Sequence, residues 1–481
     1  MNSIEKLSPS VIWHYFNEIL AIPRPSKKEE HISEYLKAFA QKHNLPCKTD
    51  EAGNILITKP ASSGYENRKS IVLQCHTDMV CEKNAGIKHN FETDPIKAYV
   101  DGDWVKAHGT TLGADDGIGI ATALAVLASN TLKHGPLSCL FTVDEETGLS
   151  GAFALQPGFF EAQTLINLDS EDEGQIFIGC AGGIETTAIF EVEKENIEGY
   201  QFFMLGVNGL KGGHSGDDIN KGLANANKLL VRLLLSAVEK AQIRIVYIDG
   251  GNLHNAIPRE AIAHIAVKPE LVEILANDVK LLSKVLKSEF ASTEPGIKIS
   301  LVQAQAASQV WTIPFQANIL NALQACPNGV IAMSRTIDNL VETSTNLASI
   351  KHKNDTVIVT TSQRSSYDPS KFDIANQVSI VFRMAGATIK QSPGYPGWTP
   401  NPNSPVLETS KNVYNQLFNA EPEVKAIHAG LECGLFLEKY PALDMISIGP
   451  TMRGVHSPDE RLFIPSVDKF WILLIGILEQ H

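Results

Sequence analysis

The chain has 481 residues, 43% of them hydrophobic and 20% charged, a usage that excludes disorder, collagen and coiled coil as global descriptions and leaves room for two or three domains. Lys and Arg total 41 against 54 Asp and Glu, a formal net charge of -13 with no basic run, which argues against nucleic acid and anionic membrane as partners. Seven scattered cysteines without a C-x-x-C pair exclude a disulfide framework and a thiolate zinc site.

No basic segment leads into an apolar core at the N-terminus, so no signal peptide is expected. The apolar stretches 117–128 and 471–478 are too short to span a bilayer, and a soluble, cytoplasmic protein is expected. Ser8-Pro9 reads as a cap with proline in the first helical position, ahead of a stripe of Val11, Ile12, Phe16, Ile19 and Leu20. Ser26 and Glu29 have capping-box spacing before a second helix carrying Ile32, Leu36, Phe39 and Ala40. Compact apolar runs at 71–74, 137–143 and 164–168 read as buried strands, with a helix at 118–127 between the first two. Such alternation indicates an α/β domain with a mainly parallel central sheet.

From residue 184 the texture changes. Apolar residues alternate with period two at 184–192, 243–249, 261–267 and 377–383, and amphipathic helices are expected at 223–237 and 271–290. This is the pattern of an α+β layer with one solvated sheet face. Residues 391–405 hold five prolines and two glycines, the signature of a boundary. Helices and short strands then return up to residue 478.

The chemistry lies where acids and histidines follow the apolar runs. Gln74-Cys75-His76-Thr77-Asp78 ends the first strand, Asp115-Asp116 opens the following helix, Asp144-Glu145-Glu146 ends the second strand and Asp169 the third. In a parallel sheet all of these meet at the carboxyl edge. Carboxylates crowded around an imidazole repel one another unless a cation neutralises them, and a His/Asp/Glu set without sulfur suits zinc, cobalt or manganese. His76 and Asp78 share a face in extended backbone, so Asp78 can hold one ring nitrogen while the other faces metal. Glu145 and Glu146 point different ways; one can bind metal while the other takes a proton from an activated water.

The motifs LQCHTDMV, HGTTLGADDGIGIATALAVL, FTVDEETGLSGA, LINLDSEDEG, GGHSGDDI, LHNAIPR, SQRSS, HAGLECGLF and GPTMRGVHSPDERL extend over nearly the whole chain. Together they resemble the di-zinc aminopeptidase, carboxypeptidase and deacylase superfamily that includes carboxypeptidase G and carnosinase, and within it the aminoacyl-histidine or cytosol non-specific dipeptidases. The resemblance implies a zinc-peptidase catalytic domain at 1–185 and 391–481, with an inserted α+β lid domain at 186–390, about twice the length of simpler lids. It implies two divalent ions per chain, most naturally zinc, with His76 and Asp169 on one, Glu146 and His456 on the other and Asp115 bridging. It makes Glu145 the general base and then acid, Asp78 the residue that orients His76, and His214 a donor to the developing oxyanion. Asn255 and Arg364 would hold the substrate carboxylate, and Gly430 would let backbone approach the substrate. Asp116 receives no ligand role. The implied reaction is hydrolysis of small dipeptides, including Xaa-His. A homodimer is compatible with the resemblance, which leaves open whether His214 serves its own chain or a partner.

Plainer readings accompany these. Arg364 by itself reads as a salt-bridge partner and Asn255 as a turn before Pro258. His214, flanked by glycine and Ser215, has a loop-like setting, and Cys75 reads as a small core residue because strand neighbours face opposite sides. The glycine spacing of GADDGIG is wrong for a dinucleotide loop, and two aspartates there would repel phosphate. An N-acyl amino acid deacylase would share the same metal chemistry. A non-catalytic metal- or peptide-binding relative is disfavoured, because Glu145 and Asp78 are present and neither is needed to hold metal.

Overall fold

The segment IVLQCH forms the strand Ile71–His76, buried at every position, as befits the middle of a parallel sheet. Leu137–Thr142 and Thr164–Asn167 pair with it in parallel on either side, and Asp444–Ser447 pairs in parallel with Thr164–Asn167. Ile55–Lys59 and then Cys47–Thr49 extend one edge antiparallel, and Gln175–Cys180 extends the other. Glu423–Ile427 completes eight strands. The sheet is therefore mixed, parallel at its four central strands and antiparallel towards its edges. Register sets His76 opposite Thr142 and Gln74 opposite Asn167, so the chain leaves three neighbouring strands at one edge. Helix Ala114–Ala128, buried from Ala114 through Leu127, packs on Ile71–His76 and on helix Ser10–Leu20. Its run of Ala, Ile, Leu and Gly leaves it no polar face, as suits a helix in the middle of a core.

The computed structural model describes residues 4–481, which divide into two compact units. The eight-stranded sheet belongs to the first, which comprises the chain up to Gly179 together with Trp398–Ala426 and Leu431–His481. The second comprises Cys180–Gly397 and Ile427–Gly430. It holds a nine-stranded sheet whose centre is the long pair Val341–Lys353 and Thr356–Ser365, flanked by Gly182–Glu191 and Arg244–Gly250. Helices Ala226–Ala241, Val272–Glu289, Ile313–Ala325 and Asp368–Met384 share one core with it, built around residues such as Phe190, Leu230, Trp311 and Phe382. A two-stranded ribbon pairs Gly213–His214 with Ala256–Ile257. No helix among the described residues is long and apolar enough to cross a membrane.

Three local expectations are corrected. Residues 377–383 lie inside the helix Asp368–Met384, whose buried Ile374, Val378 and Phe382 recur every four residues. The β-branched residues of VSIV mimic a strand, but the helical period governs burial. Pro9 is the cap of Ser10–Leu20 rather than its first helical residue, and the Ser8 hydroxyl donates to Asp468 Oδ1. The Ser26–Glu29 pair makes no capping box: the second helix begins at Glu30 without a side-chain cap. Ser26 Oγ donates instead to Asp78 Oδ2 at 2.7 Å, and Glu29 Oε1 accepts the Asp144 N–H at 2.9 Å. The proline-rich stretch 391–405 is well anchored, with Tyr395 and Gly183 exchanging backbone hydrogen bonds of 2.9 and 3.1 Å.

Phe382 is fully buried and meets Phe190 edge-on with ring centroids 6.1 Å apart. Phe382→Ala should destabilise the second unit by about 3–5 kcal/mol, read as a lower urea midpoint. A change below about 1 kcal/mol would contradict its place in that core.

Candidate active site

The first unit brings together the acids and imidazoles that follow its strands. Asp78 is wholly buried just past Ile71–His76. Its Oδ1 lies 3.3 Å from His76 Nδ1 and accepts the Glu145 N–H at 3.0 Å, while Oδ2 accepts the Glu146 N–H at 3.1 Å. Burial alone would raise the Asp78 carboxyl, but hydrogen bonds from His76, Ser26 and the Glu145 amide outweigh it and hold it at about 2. Asp78 therefore stays ionised beside His76 and anchors the turn that presents Glu145 and Glu146.

The other ring nitrogen of His76, Nε2, lies 3.0 Å from Asp115 Oδ1 and 3.6 Å from Asp169 Oδ1. Asp115 reaches His456 as well, with Oδ2 3.2 Å from His456 Nε2, and Glu146 Oε2 lies 3.0 Å from that same nitrogen. His456 adopts a left-handed φ of 61° in the loop between Met452–Arg453 and Arg461–Phe463. Hydrogen bonds donated to Asp115 and Glu146 push its imidazole up to about 11. Burial opposes ionisation of Asp115, yet the hydrogen bonds from His456 and His76 hold its carboxyl well below the usual range.

Asp169, Glu145 and Glu146 complete the cluster. Burial pushes the Asp169 carboxyl up to about 7, against the pull of His76. Burial also drives Glu145 well above its usual range, and the charges of Asp169, Glu146 and Glu432 add to it. Glu146 Oε1 is buried and accepts no hydrogen bond. The sets His76–Glu145–Glu146, His76–Asp116–Asp169 and Asp115–Glu146–His456 each offer ligand atoms within 4.8 Å of one another. Oxygen and imidazole donors, raised carboxyls and an orphaned buried oxygen together fit a divalent cation. Asp116 has its oxygens engaged by backbone, accepting the His76 and Gly119 N–H groups at 3.3 and 3.1 Å.

The second unit gathers His214, Asn255, Arg364 and Gly430. The ribbon sets His214 opposite Ala256, and the Ser215 N–H donates to Asn255 O at 2.8 Å. His214 Nδ1 lies 3.2 Å from the Asp217 backbone nitrogen and 3.5 Å from Asp217 Oδ2, which places the ring on its own turn. Arg364 lies on Thr356–Ser365, with Nη1 donating to Tyr395 Oη at 2.9 Å and Nη2 3.5 Å from His214 Nε2. Its Nε is buried without a partner. Gly430 has a reason the sequence does not reveal: a Cβ there would stand 2.8 Å from the Tyr395 ring, and one at Gly183 would stand 2.7 Å from it. The two glycines let that ring lie flat and hold its hydroxyl against Arg364.

Sequence reasoning missed several buried polar groups. Glu432 Oε2 accepts from Gln74 Nε2 at 2.6 Å and Thr142 Oγ1 at 2.7 Å, and burial pushes its carboxyl up to about 7. Burial and the charges of Asp115 and Asp169 push Glu171 up to about 8. Arg24 donates to the backbone carbonyls of Thr77, Asp78 and Gly113. Glu432 and Glu460 stood within recognisable motifs, but their partners lie hundreds of positions away, where local spacing carries no signal.

Such a cluster at the carboxyl edge of a mixed sheet defines the class of metal-dependent hydrolases. The chain belongs to peptidase family M20/M25/M40, whose model matches residues 72–479, a family of metal-dependent peptide hydrolases. It is 45% identical over 481 residues to the cytosol non-specific dipeptidase of Escherichia coli (strain K12), covering 100% of this chain and 99% of that one. The crystal structure of aminoacylhistidine dipeptidase from Vibrio alginolyticus matches with a TM-score of 0.91 at 42% identity, covering 99% of this chain and 98% of that chain. Aminopeptidase PepT from Bacillus cereus ATCC 10987 shares the fold at 15% identity, with a TM-score of 0.58 and 98% of both chains covered.

A pH prediction follows from His428, buried in the second unit with Nε2 2.7 Å from Ser344 Oγ. Burial, and then the charge of Arg364, lower its imidazole to about 3. The unfolded chain, with a histidine near 6.5, binds this proton more readily. Stability is therefore fully present above about pH 6.5 and falls as the pH drops towards 3. His428→Gln, which can still reach Ser344, should flatten the pH dependence of the urea midpoint between pH 4 and 6.5. An unchanged slope would mean that the imidazole is already protonated in the folded protein.

Proposed function

We propose that this protein is a dipeptidase of broad specificity, with Xaa-His among its substrates, working in the cytosol with two divalent ions, preferably zinc. The observation that carries this reading is the similarity to two dipeptidases over the full length of the chain, which includes every residue assigned below.

His76 and Asp169 would hold one ion, Glu146 and His456 the other, and Asp115 both. The separate imidazoles met by the two Asp115 oxygens, at 3.0 and 3.2 Å, support that bridging role. When bound, the ions polarise the scissile carbonyl and lower the pKa of the attacking water towards about 7. Asp78 keeps His76 in one tautomer, as the 3.3 Å approach to Nδ1 supports. Glu145 is the base that accepts the water proton and then the acid that delivers it to the leaving amine. In support, Glu146 is paired with His456, whereas Asp78 fixes the Glu145 N–H and the Glu145 carboxyl lies beside His76 and Glu146. In the second unit, 186–390 acts as the lid. Its His214 donates to the oxyanion, a role supported by the turn that places the ring through Asp217. Arg364 and Asn255 bind the substrate carboxylate, for which the fork of Arg364 and its unpartnered buried Nε are suited. Gly430, by admitting the Tyr395 ring, contributes to the setting of Arg364.

The zinc-reconstituted protein should cleave Ala-His and leave N-acetyl-Ala-His and N-acetyl-histidine intact in parallel initial-rate assays. A preference for N-acetyl-histidine would replace dipeptidase by deacylase while leaving the metal reading in place. Glu145→Gln should retain metal and lose about 10²–10⁴-fold in kcat. Turnover close to that of the unaltered protein would remove Glu145 from the proton-transfer role. Arg364→Lys should raise KM far more than it lowers kcat, and an equal fall in kcat and kcat/KM would mean that the residue acts only in the transition state.

A further inference from the structure

Asp115 is the residue on which both halves of the metal reading depend, yet its own helix does not hold it in place. Its backbone sits at φ -82°, ψ 112°, outside helical geometry, and Asp116 after it is also non-helical. The ordinary hydrogen bonds of a first helical turn therefore cannot set the direction of its side chain. The free amides of this segment are taken by one distant side chain. Glu460, only 2% exposed, accepts with Oε2 from the N–H groups of Leu112 and Gly113 at 2.6 and 2.9 Å. Its Oε1 accepts from those of Ala114 and Asp115 at 2.7 and 3.3 Å. Both oxygens are thus turned into the backbone.

The carbonyl side of the same segment is held from the N-terminal part of the chain. Arg24 donates one arm of its guanidinium to Gly113 O and the other to Thr77 O and Asp78 O, the latter the carbonyl of the residue beside His76 Nδ1. A Cβ at Gly113 or Gly117 would stand 2.7 Å from Arg24 Nη2, so the space for this brace depends on two glycines. Gly113 also takes a left-handed φ of 70°, which favours glycine. Glu460 lies four residues after His456 on one loop, so a single piece of chain supplies an imidazole to the site and grips the backbone of the carboxylate facing it.

We propose that Glu460 and Arg24 are positioning residues that clamp the peptide groups of 112–115 from opposite sides, so that Asp115 presents one oxygen to each imidazole side of the metal site. The proposal rests on the reading of Asp115 as a ligand to both ions. Neither clamp residue touches substrate; their effect runs through metal affinity. Removing a group that orients a ligand typically costs 10–100-fold in metal affinity.

The test is a zinc titration against a chromogenic chelator on the full chain, for the unaltered protein, Glu460→Gln and Asp115→Asn, with circular dichroism confirming that each is folded. Glu460→Gln should bind zinc about 10–100-fold more weakly, and its kcat should recover towards normal as zinc is raised to saturation. A merely structural brace would lower the melting temperature and leave zinc affinity untouched. That result, or a loss of kcat that saturating zinc does not relieve, overturns the proposal. Should Glu460→Gln not accumulate as folded protein, Arg24→Lys, which keeps the charge but loses the fork, is read in the same titration with the same expected and overturning results. Asp115→Asn separates the two levels. If it abolishes high-affinity zinc binding while Glu460→Gln binds normally, the clamp alone fails; if it binds zinc normally, the ligand reading fails and the clamp with it.

Discussion

Asp115 meets two imidazoles at once, through different oxygens, and most of the first unit can be understood as what that double contact requires. One imidazole comes from the end of a central strand and the other from a loop near the C-terminus, so the contact ties together parts of the chain that share no local structure. The parallel register of the central strands delivers His76 and Asp169 to one edge, and the turn after Leu137–Thr142 adds Glu145 and Glu146. Each of these acids is costly to bury as a charge without compensation. The raised carboxyls of Asp169, Glu145, Glu171 and Glu432 record that cost, while the depressed Asp115 and Asp78 record where imidazole and amide donors have offset it. A divalent cation would offset the remainder, in keeping with the metal dependence of the family.

The second unit is organised by a different need, that of holding polar side chains in a preset arrangement on rigid β structure. His214 and Asn255 come together because a two-stranded ribbon pairs their segments. Arg364 stands on a central strand of the large sheet, and the Tyr395 ring braces it from a stretch that composition alone marks as a linker. Prolines and glycines there do more than separate domains: they bend the chain so that an aromatic ring lies between Gly183 and Gly430. Strands are better supports than loops for a side chain with the anion-binding role proposed for Arg364.

Much of the first unit was legible from sequence because its signals are local. Buried parallel strands appear as short apolar runs, and the acids that matter follow them directly, so His76, Asp78, Asp115, Glu145, Glu146 and Asp169 stand out by position. His456 does not; only the resemblance of its motif to a known family pointed to it. The errors have the same origin. Ser26 and Glu29 satisfy a local capping rule, but long-range partners, Asp78 and the Asp144 amide, take their side chains. Residues 377–383 alternate well enough to pass for a strand, yet a core that needs Ile374, Val378 and Phe382 on one side makes them a helix. Where tertiary hydrogen bonds compete with local ones, pattern reading follows the wrong partner.

Two adjacent glutamates with different surroundings show how environment divides labour between identical side chains. Glu145 and Glu146 both donate their N–H groups to Asp78, so one carboxylate fixes the backbone of both. Their side chains then diverge. Glu146 is drawn to His456 at 3.0 Å, as suits the ligand role proposed for it. Glu145 lies in the cluster with His76 and Glu146, and burial, together with the charges of Asp169, Glu146 and Glu432, favours a proton on it against the pull of His76. A carboxylate in that position gains a proton readily when the local negative charge is uncompensated and gives it up when a cation enters. Such a group has an affinity adjustable between those limits, which suits the proton-transfer role proposed for Glu145. The difference between the two glutamates thus lies less in their own chemistry than in their surroundings, with Glu146 against His456 and Glu145 in the cluster with His76.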